Sequence, residues 1–327
     1  MRAVVISENG PPESLKITDI AKPEPGEGQV RLQVAYCALN PLDTHARAGR
    51  IKWGVPDMPF TLGYEYSGRV DAVGPGTDDS LIGKRFSVAG SWGGCGEYAI
   101  AAPSALVPIP DEFHWTLGTV YFTSTFTSWH MLHTMAHVQE GDVVVVHSAA
   151  GAVGVMTTQI AKDAGCIVIG LVGSQEKVVW AEQFGADHLI NERAEEDWPA
   201  KVKEFTGGAG ADVIIDGNAG PGAPKNLVCL APLGQVIYIG AMAGQAPEVN
   251  ISGLIAASAG VRGFIQYHAM AKTKGAEFPE IISKLDKKDW IFPLNPPIPL
   301  DQIVQAHDDF ENRRTTGRTV FEIGGDI

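Results

Sequence analysis

Two stretches of the chain hold residues in patterns that chemistry can use. In VVVVHSAAGAVGV, residues 143 to 155, a β-branched run gives way to small residues, with Gly151 and Gly154 three apart and Ala149 two before the first of them. Small residues at a strand-to-helix junction let backbone N–H groups approach an anion, and a helix opening there adds the positive end of its dipole. The pattern suits a pyrophosphate, held by the turn Ala150, Gly151, Ala152, Val153 and Gly154. Ala149 stands where the first glycine of G-x-G-x-x-G would be, and the turn tolerates it if residue 149 keeps a negative φ. Close helix–strand packing alone also produces such spacing.

The second stretch lies about 20 residues on, where an acid would bond a free ribose 2′-OH and repel a 2′-phosphate. Here the chain reads Val172-Gly173-Ser174-Gln175-Glu176-Lys177, with no acid at the strand end. Ser174 offers a hydroxyl and Lys177 a cation one turn further, which favours NADPH over NADH. The same two residues also suit a helix N-cap and a solvated surface lysine. Glu176, next door, adds negative charge that works against a phosphate.

These residues need elements to position them. The first 110 or so residues carry short alternating runs broken by Gly and Pro, such as RAVVIS, QVRLQVAYCAL and GKRFSVAG, the pattern of a β-rich domain. TLGTVYFTSTFTSWHMLHTMAHV then has helical spacing. Beyond it VVVVH, CIVIGLV, HLIN, ADVIIDG and QVIYIG alternate with helix-like stretches, among them GVMTTQIAKDAG and PKNLVCLAPLG. Strand–helix alternation of this kind predicts βαβ units and a parallel sheet covered on both faces. A proline-rich segment, FPLNPPIPL, a helix-like DQIVQAHDDFENRR and a last strand TVFEI form a tail that is expected to return to the first domain.

With 327 residues two domains are expected. Hydrophobic residues at 45% and charged ones at 19% describe a globular chain, and a formal charge of −13 argues against nucleic acid or an anionic membrane as a partner. The start MRAVVISENG has no long apolar run, and no later stretch reaches the roughly 20 apolar residues of a spanning helix, so a cytoplasmic protein is expected. The four cysteines, Cys37, Cys95, Cys166 and Cys229, form no C-x-x-C pair, a reduced pattern without a zinc knuckle. Cys95, in SWGGCGEY, reads either as a reactive thiol or as a small turn residue.

The order of these parts resembles the medium-chain dehydrogenase/reductase superfamily and, within it, the zinc-free quinone oxidoreductases that include zeta-crystallin. The resemblance spans nearly the whole chain and rests on ALNPLDTHARAG, TLGYEYSGRVDAVG, VVVVHSAAGAVG, FTGGAGADVIIDGNAG and NRRTTGRTVFEI. It implies an α/β protein: a GroES-like β-rich catalytic domain over 1–122 and 265–327, and a Rossmann domain with a doubly wound parallel sheet over 123–264. Zinc-dependent relatives use a cysteine near residue 40 and a histidine in a G-H-E turn; here Asn40 and Tyr64 stand at those places, so no metal is expected.

The resemblance also implies site residues. Asn40 and Asp43 lie beside the nicotinamide in such relatives, and Thr127 matches a threonine that approaches it. Tyr64 could donate to a quinone or enone oxygen, or serve only as an apolar wall. His45 reads as a proton relay or as a packed histidine. Asn191, Asn218, Gly240, Phe264 and Arg318 are expected on the cofactor, and Glu192 departs from the non-acidic residue usual there. The implied activity is NADPH-dependent hydride transfer, without a metal, to quinones or to the activated double bonds of enones and enals, by a homodimer. Two other readings remain: an NADPH-binding structural or adaptor protein, and a zinc-dependent alcohol dehydrogenase, which predicts stoichiometric bound zinc.

Overall fold

The computed structural model describes residues 1–245 and 248–327. The chain divides into two units, Met1–Thr123 with Leu294–Ile327, and Ser124–Pro293. The first crossing, at 123/124, falls inside the helix Trp115–Trp129, and the second comes at 293/294 and not at 264/265. The helices Gln266–Thr273 and Phe278–Asp286 are tied into the second unit. Thr127 bonds Gln266 at 2.6 Å, Lys284 bonds Asp163 at 2.8 Å, and Gln159 bonds the backbone of Ile291.

The first unit is built on the strand Val30–Ala38, almost wholly buried, which explains why QVRLQVAYCAL is apolar nearly throughout. It pairs antiparallel with Glu65–Val73, Tyr98–Ala101 and Val320–Glu322. The last of these confirms that the C-terminal tail returns to this unit. Leu32, Val34, Leu62, Tyr66, Phe86 and Phe321 are among the side chains of its core.

The second unit holds a six-stranded parallel sheet in the order His188–Asn191, Ile167–Val172, Val143–Val146, Ala211–Asp216, Leu230–Tyr238, Gly260–Gly263. All four residues of Val143–Val146 are buried, the mark of a strand covered on both faces. Strand order reverses at this strand, because its neighbours are the second and fourth strands of the sheet, and ligands of open α/β sheets bind at the carboxyl end of such a reversal. Two elements differ from the sequence reading. In PKNLVCLAPLG only Pro224–Val228 is helical, and the rest enters the strand Leu230–Tyr238 through a bulge at which Leu233 has φ 68° and is exposed. The helix from Trp115 ends as an α-helix at Trp129 and continues as a π-helical stretch, His130–Ala136, closed by His137 in the left-handed conformation.

The helix Ala152–Asp163 starts tightly against the first strand of the sheet. A Cβ on Gly154 would stand 2.3 Å from the Ser148 carbonyl oxygen, whereas one on Gly151 would be 3.2 Å from the same atom. Gly154→Ala is therefore expected to lower stability by about 1–3 kcal/mol, with Gly151→Ala costing less, as read from urea midpoints at constant m.

Candidate active site

In the second unit the turn after Val146 is shaped by backbone. Ser148, φ 53°, takes the left-handed conformation while Ala149 stays outside it, so alanine fits the place of the missing glycine. The Ala149 N–H donates to the Leu171 carbonyl and the Gly151 N–H to that of Ser148. The Ala149 methyl needs Gly170 opposite, since a Cβ there would come within 2.8 Å of it. Gly151 is the extended N-cap residue of the helix Ala152–Asp163, with no side-chain cap and no acid in the first turn. The N–H groups of Ala152, Val153 and Gly154 consequently lack an intrahelical acceptor, which is the arrangement an anion takes up. Ser148 Oγ donates to Asn218 Oδ1 at 3.2 Å, joining this turn to the one after Ala211–Asp216. Gly240 is exposed and approaches Gly217 closely, and the Phe264 N–H donates to the Tyr238 carbonyl.

At the end of the second strand Ser174 is the N-cap of the helix Gln175–Ala181, accepting from the Lys177 N–H at 3.4 Å. Glu176 is held below its ordinary value by its own backbone N–H and by the Ser174 hydroxyl. The cation nearest Gly173 is one the sequence reading passed over. A Cβ on Gly173 would lie 3.4 Å from Arg193 Nε, so the exposed Arg193 guanidinium extends over the glycine. Asn191 builds the loop that presents it, its Oδ1 accepting from the N–H groups of Arg193 and Ala194. The signal in the sequence was an arginine two residues past a strand end, which is common on any surface.

Thr127 donates its hydroxyl proton to the buried Gln266, leaving lone pairs to accept from another group.

In the first unit sheet register assembles a separate cluster. Ala38 pairs with Glu65 and with Val320, and Leu39 N–H donates to Thr319, so Asn40, Glu65 and Arg318 are brought together. Asn40 caps the helix Pro41–Arg47: its Oδ1 accepts from Leu42 N–H at 3.0 Å and its Nδ2 donates to Glu65 at 3.1 Å. One amide N–H of Asn40 is left over. Asp43 completes the capping box, taking the N–H of Asn40 on one oxygen and that of Tyr64 on the other. Both oxygens are thus engaged by backbone, and Asp43 acts as a positioning residue for the two segments that carry Asn40 and Tyr64.

Glu65 is fully buried and paired with Arg318, itself 6% exposed. Arg318, expected on the cofactor, is turned to this internal carboxylate, and burial lowers its guanidinium to about 10, still charged at neutral pH. Tyr64 packs edge-on against Trp92 at 5.1 Å and remains partly exposed. His45 accepts from Arg50 Nε at 3.0 Å, a packed arrangement. Cys37 and Cys95 lie with their sulfurs 3.5 Å apart in the core, where burial pushes the Cys37 thiol up, away from the reactive thiolate. Among the described residues no three His, Cys, Asp or Glu side chains converge.

Comparison with known proteins gives this geometry a family. Residues 26–111 match the alcohol dehydrogenase GroES-like domain and residues 152–287 the family model described as zinc-binding dehydrogenase. The quinone oxidoreductase of Pongo abelii is 33% identical over 98% of this chain and 97% of its own. The chain belongs to the quinone oxidoreductase family. Like other quinone oxidoreductases of the medium-chain dehydrogenase/reductase superfamily, it is an oxidoreductase enzyme. Two solved structures have its fold: a mycobacterial protein complexed with NADPH, 29% identical, and the Escherichia coli quinone oxidoreductase complexed with NADPH, 25% identical. Each superposes with a TM-score of 0.90 over 98% of this chain and 100% of the other.

In this quinone oxidoreductase burial pushes the Asp43 carboxyl up to about 7, against the downward pull of the backbone N–H groups of Asn40, Tyr64 and Gly63 and of Arg318. A carboxyl raised in the folded state stabilises fully below its unfolded pKa, near 4, and loses that contribution as pH rises through about 7. The stability advantage of wild type over Asp43→Asn is therefore expected to shrink between about pH 4 and 7 and to level off above, as followed by urea midpoints. A difference independent of pH would contradict the assignment.

Proposed function

We propose that this protein is an NADPH-dependent reductase that delivers hydride to quinones or to the activated carbon–carbon double bonds of enones and enals, without a metal. The carrying observation is the uncapped helix start at Gly151 with a cation over Gly173 and no acid at the end of Ile167–Val172. A pyrophosphate fits the first, and a 2′-phosphate fits the second. The NADPH bound in those two solved structures supports the same choice.

In this reading NADPH supplies the hydride, and the chain supplies binding, orientation and charge stabilisation. Ala150, Gly151, Ala152, Val153 and Gly154 would hold the pyrophosphate. Gly173, Lys177 and Arg193 would take the adenosine ribose and its phosphate, with Ser174 shaping the corner as a cap and Asn191 shaping the Arg193 loop. Asn218, Gly240 and Phe264 would line the nicotinamide half, where Thr127 would accept from an amide N–H. Asn40, through its remaining amide N–H, and Tyr64, through its phenol, would stabilise the charge developing on the acceptor oxygen. Asp43 and Arg318 would hold Asn40, Tyr64 and Glu65 in place.

A homodimer accompanies this proposal. The strand Gly260–Gly263 pairs on one side only among the described residues, and the helix Ile251–Ala257 exposes Ile251 and Ile255. Among the described residues no helix is long and apolar enough to cross a membrane.

NADPH oxidation against a panel of quinones, enones and enals tests the reaction: turnover with at least one class is expected. Tight NADPH binding with no turnover would favour the adaptor reading, and stoichiometric zinc by metal analysis the alcohol dehydrogenase one. Arg193→Ala is expected to weaken NADPH binding about tenfold while leaving NADH within about twofold. Sedimentation should show a species of twice the chain mass.

A further inference from the structure

Glu192 is the feature of the nucleotide corner that its sequence does not reconcile with a 2′-phosphate. Asn191 pairs with Val172, and the Glu192 N–H donates to the Val172 carbonyl at 2.9 Å, so residue 192 adjoins Gly173 by backbone register alone. A carboxylate free to turn there would repel the phosphate.

The side chain lies instead beside His147, with Oε2 3.7 Å from Nδ1. The imidazole is fixed from several sides. Its Nε2 is 2.8 Å from Asn226 Oδ1, its ring stands edge-on to Trp198 at 5.3 Å, and its backbone N–H donates to Ile215. Asn226 donates its amide to Asp216 Oδ2 at 2.8 Å and to the Tyr238 hydroxyl at 3.3 Å, so its Oδ1 must accept from the histidine. Asp216 is anchored in turn, its other oxygen taking the N–H groups of Asn218 and Ala219. The proton therefore sits on Nε2, and Nδ1, which has no hydrogen-bond partner, is the atom presented to Glu192. A bare lone pair on Nδ1 would repel the carboxylate, so an approach to 3.7 Å is favourable with a second proton, on Nδ1, and the ring then draws Glu192 toward it as a cation.

We propose that His147 sets cofactor preference through Glu192: by holding that carboxylate it leaves Arg193 as the charge that meets the 2′-phosphate, and NADPH is preferred to NADH. His147 is thus a positioning residue, and the inference rests on the reading that this unit binds NADPH.

The test is equilibrium binding of NADPH and of NADH to wild type, Glu192→Gln, His147→Phe and the double variant. Glu192→Gln alone is expected to change the NADPH-to-NADH affinity ratio less than about twofold, because its charge is already diverted. His147→Phe is expected to lower that ratio about tenfold with NADH nearly unchanged, and adding Glu192→Gln is expected to restore it. A merely structural histidine would weaken both nucleotides together and would not be rescued. A tenfold gain in NADPH affinity from Glu192→Gln alone, or failure of the rescue, overturns the proposal. If His147→Phe does not fold, His147→Asn replaces it, and the Glu192→Gln arm still discriminates. If wild type binds neither nucleotide, the cofactor reading itself fails; if it binds NADPH and the ratios do not move as stated, only the role of His147 fails.

Discussion

The second unit depends on backbone meeting backbone at the carboxyl edge of the parallel sheet. Gly154 sits on the Ser148 carbonyl with no room for a side chain, and this contact fixes where the helix Ala152–Asp163 begins. The free N–H groups, the direction of the dipole and the link from Ser148 to Asn218 all follow from it.

The first unit solves a different problem, the burial of charge. Glu65 and Arg318 are nearly inaccessible, and an isolated buried ion would be costly, so each is matched by the other, with Asn40 adding a hydrogen bond. Asp43 is buried too, but it is satisfied by backbone N–H groups and by the more distant positive field of Arg318. The result is a framework of buried charge and backbone hydrogen bonds that places the side chain of Asn40 and the backbone of Tyr64.

Much of this was legible in the chain. The parallel sheet showed in the alternation of apolar runs with helical ones, and the tight strand-to-helix turn in small residues after VVVVH, because local periodicity and backbone constraints are written locally. Arg193 was not legible: its place over Gly173 depends on pairing between strands about 20 residues apart in sequence and on an Asn191 turn that has no pattern of its own. The pairing of Arg318 with Glu65 was not legible for the same reason, since a basic residue near the C-terminus says nothing about which carboxylate will meet it. The reach of the tail was misjudged because helices 266–273 and 278–286 follow the last parallel strand with no break in composition. Ser174 was read both ways, and the geometry of its hydroxyl makes it a cap.

A Cβ at Gly170 would meet the Leu189 side chain at 2.7 Å and the Ala149 methyl at 2.8 Å, so that strand position has no room for a side chain. Glycine at 149 would relieve only one of these contacts, because Leu189 on the neighbouring strand closes the same space. The departure from the usual glycine fingerprint thus moves a demand for glycine out of the turn and into the strand beside it.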